Sequence, residues 1–71
     1  MNVRIGIADT GRDIEIQVKS RDEIVDRIEK AYRDDAYILW FNDTKGNEVG
    51  IPLARIAYLE LSDDAEPSVG F

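Results

Sequence analysis

Few side chains in this sequence are of types that do chemistry, and three groupings among them would each imply a different kind. In Gly46-Asn47-Glu48-Val49-Gly50 two glycines stand four residues apart, a pattern that invites comparison with loops whose backbone amides cradle phosphate. Such a loop continues into Lys-Ser/Thr and opens a helix, and neither follows here. Asp63, Asp64 and Glu66 offer oxygen ligands suited to a hard divalent cation; the ordinary reading of an acidic run is a solvated segment. Asp34 and Asp35 are adjacent carboxylates of the kind used in acid–base work. With no nucleophile beside them they read better as the stop signal of a helix. No Cys and no His occur, which removes disulfides, thiolate metal sites and the usual zinc ligands. No grouping composes a catalytic set, so neither a cofactor nor enzymatic activity is expected.

Composition narrows the remaining classes. A chain of 71 residues supports one domain with a small core and modest stability. Hydrophobic content of 44% beside charged content of 34% is that of a folded soluble protein rather than a disordered one. Nine basic residues against fifteen acidic ones leave a net charge of -6, which argues against nucleic acid as a partner. No apolar run approaches the roughly 20 residues needed to cross a bilayer, and no signal peptide is recognisable, so the cytoplasm is the expected location and no membrane partner is expected.

The elements that would position any site centre on Tyr37 to Leu61. Tyr37-Ile38-Leu39-Trp40-Phe41 is aromatic and β-branched, which favours a strand. Asp43 suits the first position of a type I turn, and Gly46 the left-handed position that follows it. A three-residue loop then pairs Asp43 with Asn47, Phe41 with Val49, Trp40 with Gly50 and Leu39 with Ile51. Leu39, Phe41, Val49 and Ile51 fall on one face, Ile38, Trp40 and Gly50 on the other. Pro52 ends the second strand because it cannot donate to a ladder. Leu53-Ala54-Arg55 reads as one helical turn, and Ile56 to Leu61 as a third strand. On it Ala57, Leu59 and Leu61 are expected toward the core, and Ile56, Tyr58 and Glu60 outward.

Before this stretch, Val3, Ile5 and Ile7 and then Ile14, Ile16 and Val18 alternate with polar or small residues, the pattern of two half-buried strands. A two-residue turn at Thr10-Gly11 would pair Ile7 with Ile14, Ile5 with Ile16 and Val3 with Val18. Ser20 with Glu23 three residues later forms a capping box. Ile24, Val25, Ile28, Ala31 and Tyr32 then recur at helical spacing. Glu23 with Arg27, Asp26 with Lys30 and Glu29 with Arg33 are spaced as i,i+4 pairs. The order strand-strand-helix-strand-strand-strand predicts an α+β domain over residues 1–61. One helix would lie across one face of a mainly antiparallel, curled sheet. Residues 62–71 are expected to form an acidic tail with a docking Val-Gly-Phe end.

The first half, a hairpin followed by a Ser-capped helix, resembles the opening of ubiquitin-like β-grasp folds. The pattern beyond Tyr37 departs from ubiquitin, and the Gly70-Phe71 end has no diglycine for conjugation. A resemblance spanning nearly the whole chain rests on five runs that occur in order. They are Val3-Arg4-Ile5-Gly6, Asp43-Thr44-Lys45-Gly46, Ile51-Pro52, Ile56-Ala57-Tyr58-Leu59-Glu60-Leu61 and Val69-Gly70-Phe71. In these the chain is similar to a small actinobacterial family of unknown function, some of whose members are labelled ATP-binding proteins. Such members carry basic residues before the closing Val-Gly-Phe and one Gly after it, where this chain has Pro67-Ser68 and ends at Phe71. The resemblance implies a fold and a cell context and brings no activity.

The residues most open to a functional reading are apolar. Ile38, Trp40, Ile56 and Tyr58 are expected to share the sheet face away from the helix, and soluble monomers seldom expose such a patch without use. Either the chain covers the patch itself with Val69 and Phe71, or a protein partner or second copy does. The expected function is therefore a small non-enzymatic interaction module, and the alternative is a nucleotide or small-ligand binder.

Overall fold

The computed structural model of the chain describes residues 1–63. Its elements run β1 (Asn2–Ile7), β2 (Arg12–Gln17), α1 (Arg21–Arg33), β3 (Ile38–Asn42), β4 (Glu48–Pro52), a 3-10 turn at Leu53–Arg55, and β5 (Ile56–Ser62). All strand pairing is antiparallel, and the fold is α+β as expected. The strands do not form one curled sheet, however. β2, β1 and β5 make a three-stranded sheet in that order, and β3 and β4 make a separate two-stranded one. The single sheet of a β-grasp arrangement is thus not formed. The physical reason lies at Pro52 to Arg55. Pro52 cannot extend the ladder, the 3-10 turn redirects the chain, and β5 leaves β4 to pair along β1.

One core joins both sheets and the helix. Val3 and Ile5 from β1, Ile16 from β2, Val18, Ile24 from α1, Phe41 from β3 and Ile51 from β4 are buried in a single cluster. Removing a side chain such as Phe41 or Ile24 from water contributes about 1.5–3 kcal/mol. Leu53 is also buried, so the short turn anchors itself while it redirects the chain.

The first hairpin differs in register from the sequence expectation. Ile5 lies opposite Ile14 and Val3 opposite Ile16, two residues away from the pairing predicted by a Thr10-Gly11 turn. The loop is Ala8 to Gly11, with Asp9 at φ 65° and Gly11 at φ 69°. Thr10 fixes it, since its hydroxyl donates to the Ile7 carbonyl and accepts from the Arg12 amide. A shift of two residues leaves every side chain on its original face, so the apolar pattern cannot distinguish the two registers.

The helix is capped as its sequence implies. The Ser20 hydroxyl accepts from the Glu23 amide, and the Glu23 carboxylate accepts from the Lys19 amide. Ile24 and Ala31 are its buried residues. The expected i,i+4 pairs are replaced by other contacts. Lys30 bonds Asp34 at 2.7 Å, and Arg27 donates to the Trp40 carbonyl at 2.6 Å with its guanidinium 4.8 Å from the centre of the Phe41 ring. Asp34 caps the helix and Asp35 takes φ 58°, which ends it as the adjacent carboxylates suggested.

The second hairpin matches its predicted register in full. Leu39 faces Ile51, Trp40 faces Gly50 and Phe41 faces Val49. The Asp43 carboxylate accepts from the Lys45 and Asn47 amides, the Gly46 amide donates to the Asp43 carbonyl, and Gly46 stands at φ 90°.

Two outcomes follow from this turn and the helix end. A Cβ at Gly46 would meet nothing within 4 Å, so Gly46→Val tests backbone strain alone; it should cost about 1–3 kcal/mol in denaturant unfolding. The Asp43 carboxyl is held below its ordinary value of 3.8, chiefly by the Asn47 amide, and Asp34 below the same value, chiefly by its hydrogen bond to Lys30. A carboxyl whose folded-state pKa is lowered adds stability above its unfolded value and loses it as pH falls through the folded one. Melting temperature should therefore drop as the pH is taken below 3.8, and the doubly substituted Asp34→Asn, Asp43→Asn chain should show a shallower acid limb.

Candidate functional site

Side-chain alternation along β3 and β4 creates a two-faced sheet. Leu39, Phe41, Val49 and Ile51 turn inward. Ile38 with Pro52, Trp40 with Gly50, and Asn42 with Glu48 are the opposed pairs on the outer face. That face grades from apolar at the Ile38 end to polar at the Glu48 end. Ile38 is 45% exposed and Trp40 54%, and Tyr37, immediately before the strand, is 87% exposed.

Trp40 is placed by what it covers. A Cβ built on Gly50 would lie 2.8 Å from the Trp40 ring, so the indole rests directly on the Gly50 backbone and presents its other face to solvent. Glycine weakens a strand interior, and an aromatic laid across it recovers buried area. The strand edge is fixed too, because Arg27 holds the Trp40 carbonyl from the helix. The surface is therefore firm at its centre and open outward.

The six residues expected to act together do not all meet. Ile38 and Trp40 share the outer face of β3–β4. Tyr58 lies on the other sheet, covering Gly6 in the same manner, with its ring where a Gly6 Cβ would stand. Arg4 and Glu60, paired at 3.1 Å, occupy adjoining positions of that sheet. Ile56 packs against the core, not outward as expected. A register shift between Gly6 and Ile7 in the β1–β5 ladder reverses the alternation at the start of β5 and leaves Ala57 exposed. Val69 and Phe71 lie outside the described residues, as do Asp64 and Glu66 of the acidic run.

Tyr37 is the contributor that sequence reasoning placed only as a strand residue. Its carbonyl accepts from the Leu53 amide while its ring stays in water. The available signal was its place between the helix stop at Asp35 and the strand, where neither period dictates a face. The carboxyls with lowered pKa, Asp34 and Asp43, serve the helix end and the turn. Gly46 and Gly50, the pair compared with a phosphate loop, are accounted for by the turn and by Trp40. No helix among the described residues is long and apolar enough to cross a membrane.

Packing of Trp40 on Gly50 has a direct readout. Gly50→Ala places a methyl group where the ring lies, and the ring, held at one end and half in water, is the part free to move. Iodide should quench Trp40 fluorescence more steeply in this variant than in the parent chain, with the fold retained by circular dichroism.

No curated protein matches the chain. A family model described as "Protein of unknown function (DUF3107)" matches residues 1–71, and the chain belongs to that family.

Proposed function

We propose that the protein is a small non-enzymatic interaction module that binds another protein through the outer face of β3 and β4. The observation carrying this reading is the run Tyr37, Ile38 and Trp40, where three large apolar side chains within four residues are each close to half exposed or more. Trp and Tyr supply much of the binding energy at protein interfaces because they bury large area with few rotatable bonds. The chain carries a net charge of -6, so the partner that suits it has an apolar patch ringed by basic residues. A cytosolic setting belongs to the same reading. Self-association through this face is the other form it can take. The nucleotide-binding alternative has less support, since both glycines of the 46–50 segment already have structural work.

The test is affinity capture from native cytosol, compared between the parent chain and a Tyr37→Ser, Ile38→Ser variant that leaves Trp40 in place. We expect the parent to retain a specific protein, or to dimerise in sedimentation, and the variant to do neither while melting within a few degrees of the parent. Undiminished capture by the variant would overturn the assignment of the surface.

A further inference from the structure

The two sheets do not close against each other at the end where their loops lie. Between the β1–β2 hairpin and the turn at residues 43–47 the structure leaves an open groove of about 610 Å³, within the range of small-molecule sites. Its floor is apolar. Ile7 and Ile14 from the first sheet and Val49 from the second line it, and all three are half-buried residues packed against the core. The groove is thus an extension of the core toward solvent. Its width is set by a bond between the sheets, since the Thr44 amide donates to the Glu15 carbonyl at 3.0 Å.

Three cations, Arg4, Arg12 and Lys45, and three carboxylates, Asp13, Glu15 and Asp43, line the groove. Arg4, Arg21, Lys30 and Arg55 each hold a carboxylate within 4 Å, and Arg27 holds the Trp40 carbonyl. Arg12 and Lys45 line the groove and make no ion pair among the described residues, although acids outnumber bases fifteen to nine. Two of the carboxylates are committed. Asp43 accepts from the Lys45 and Asn47 amides, and Glu15 is engaged by Asn2 and Arg4. Asp13 also lines the groove, from the strand face opposite Arg12 and Ile14. Lys45 lies near enough to Asp43 to help hold its carboxyl in the charged form without forming an ion pair, and an apolar floor with two such exposed cations at its edge is complementary to a molecule with an apolar body and one anionic head.

We propose that this groove binds a small amphiphilic monoanion, a carboxylate with a short aliphatic or aryl body. The body lies on Ile7, Ile14 and Val49, and the head meets Arg12 and Lys45. The site is separate from the aromatic face of β3 and β4, and the proposal does not depend on that reading.

Amide chemical shifts of the full chain, titrated with sodium octanoate below its micellar concentration, test the proposal. Saturable shifts should gather on Ile7, Arg12 to Ile14 and Lys45 to Val49. The double variant Arg12→Gln, Lys45→Gln removes only exposed side-chain charge and should weaken binding about tenfold or more, the scale of losing charge-assisted hydrogen bonds, with melting unchanged. Octylammonium at the same concentrations should leave these amides unmoved, and octanol should bind more weakly than octanoate. Shifts centred on Tyr37 and Trp40, no saturation, equal affinity in the double variant, or octanol matching octanoate would each overturn the assignment.

Discussion

A two-stranded antiparallel sheet is at best marginally stable alone in water, and this fold depends on how β3 and β4 are kept from being alone. Phe41 and Ile51 sink the inner face of that hairpin into the cluster built by Val3, Ile5, Ile16 and Ile24. Two polar ties then fix its position, since Arg27 grips the Trp40 carbonyl from the helix and the Thr44 amide bonds the Glu15 carbonyl of the other sheet. The Leu53 amide, bonded to the Tyr37 carbonyl, closes the open end of the hairpin itself. The chain has no cysteine to do this work covalently, so burial and these few directed bonds carry it.

The same constraint explains the outer surfaces. Two small sheets and one helix around a shared core have too few residues to cover both sides of every strand, and each outer face uses an aromatic residue over a glycine. Trp40 lies on Gly50, and Tyr58 lies on Gly6. The arrangement allows close approach of ring and backbone while leaving one ring face in water. On the three-stranded sheet the aromatic shares its face with the polar ladder of Arg4, Glu15 and Glu60. On the two-stranded sheet it sits with Ile38 and beside Tyr37, so only there does the exposed aromatic surface become a continuous apolar stretch.

Side-chain competition shows how local rules give way to tertiary ones. Arg27 is spaced to pair with Glu23, and Lys30 with Asp26. An exposed i,i+4 pair contributes only a few tenths of a kcal/mol, so a carbonyl at a strand edge, an aromatic ring or a helix-end carboxylate can displace it. Glu23 is occupied by the Lys19 amide at the helix start instead. The helix itself is unaffected, because its amphipathic stripe and its Ser20 cap supply its reasons to form.

What the sequence determined by itself was the identity of the elements and those local contacts for which its signals allow a single arrangement. The identity of all five strands and the helix, the Ser20 cap, the Asp43–Gly46 turn and the pairing of Trp40 with Gly50 follow from period, turn chemistry and capping. Wherever two arrangements keep the same side chains on the same face, those local signals are silent. The first hairpin could slip by two residues at no cost in pattern, and only the backbone of Asp9 and Gly11 with the Thr10 hydroxyl decided it. Whether β5 joins β4 or β1 is likewise invisible in its alternation, because either edge offers the same backbone groups. The tertiary structure decided that choice, and with it the separation of Trp40 from Tyr58 and the inward turn of Ile56. A strand's partner is selected by which pairing lets both sheets bury their apolar faces at once, a property of the whole core rather than of any segment.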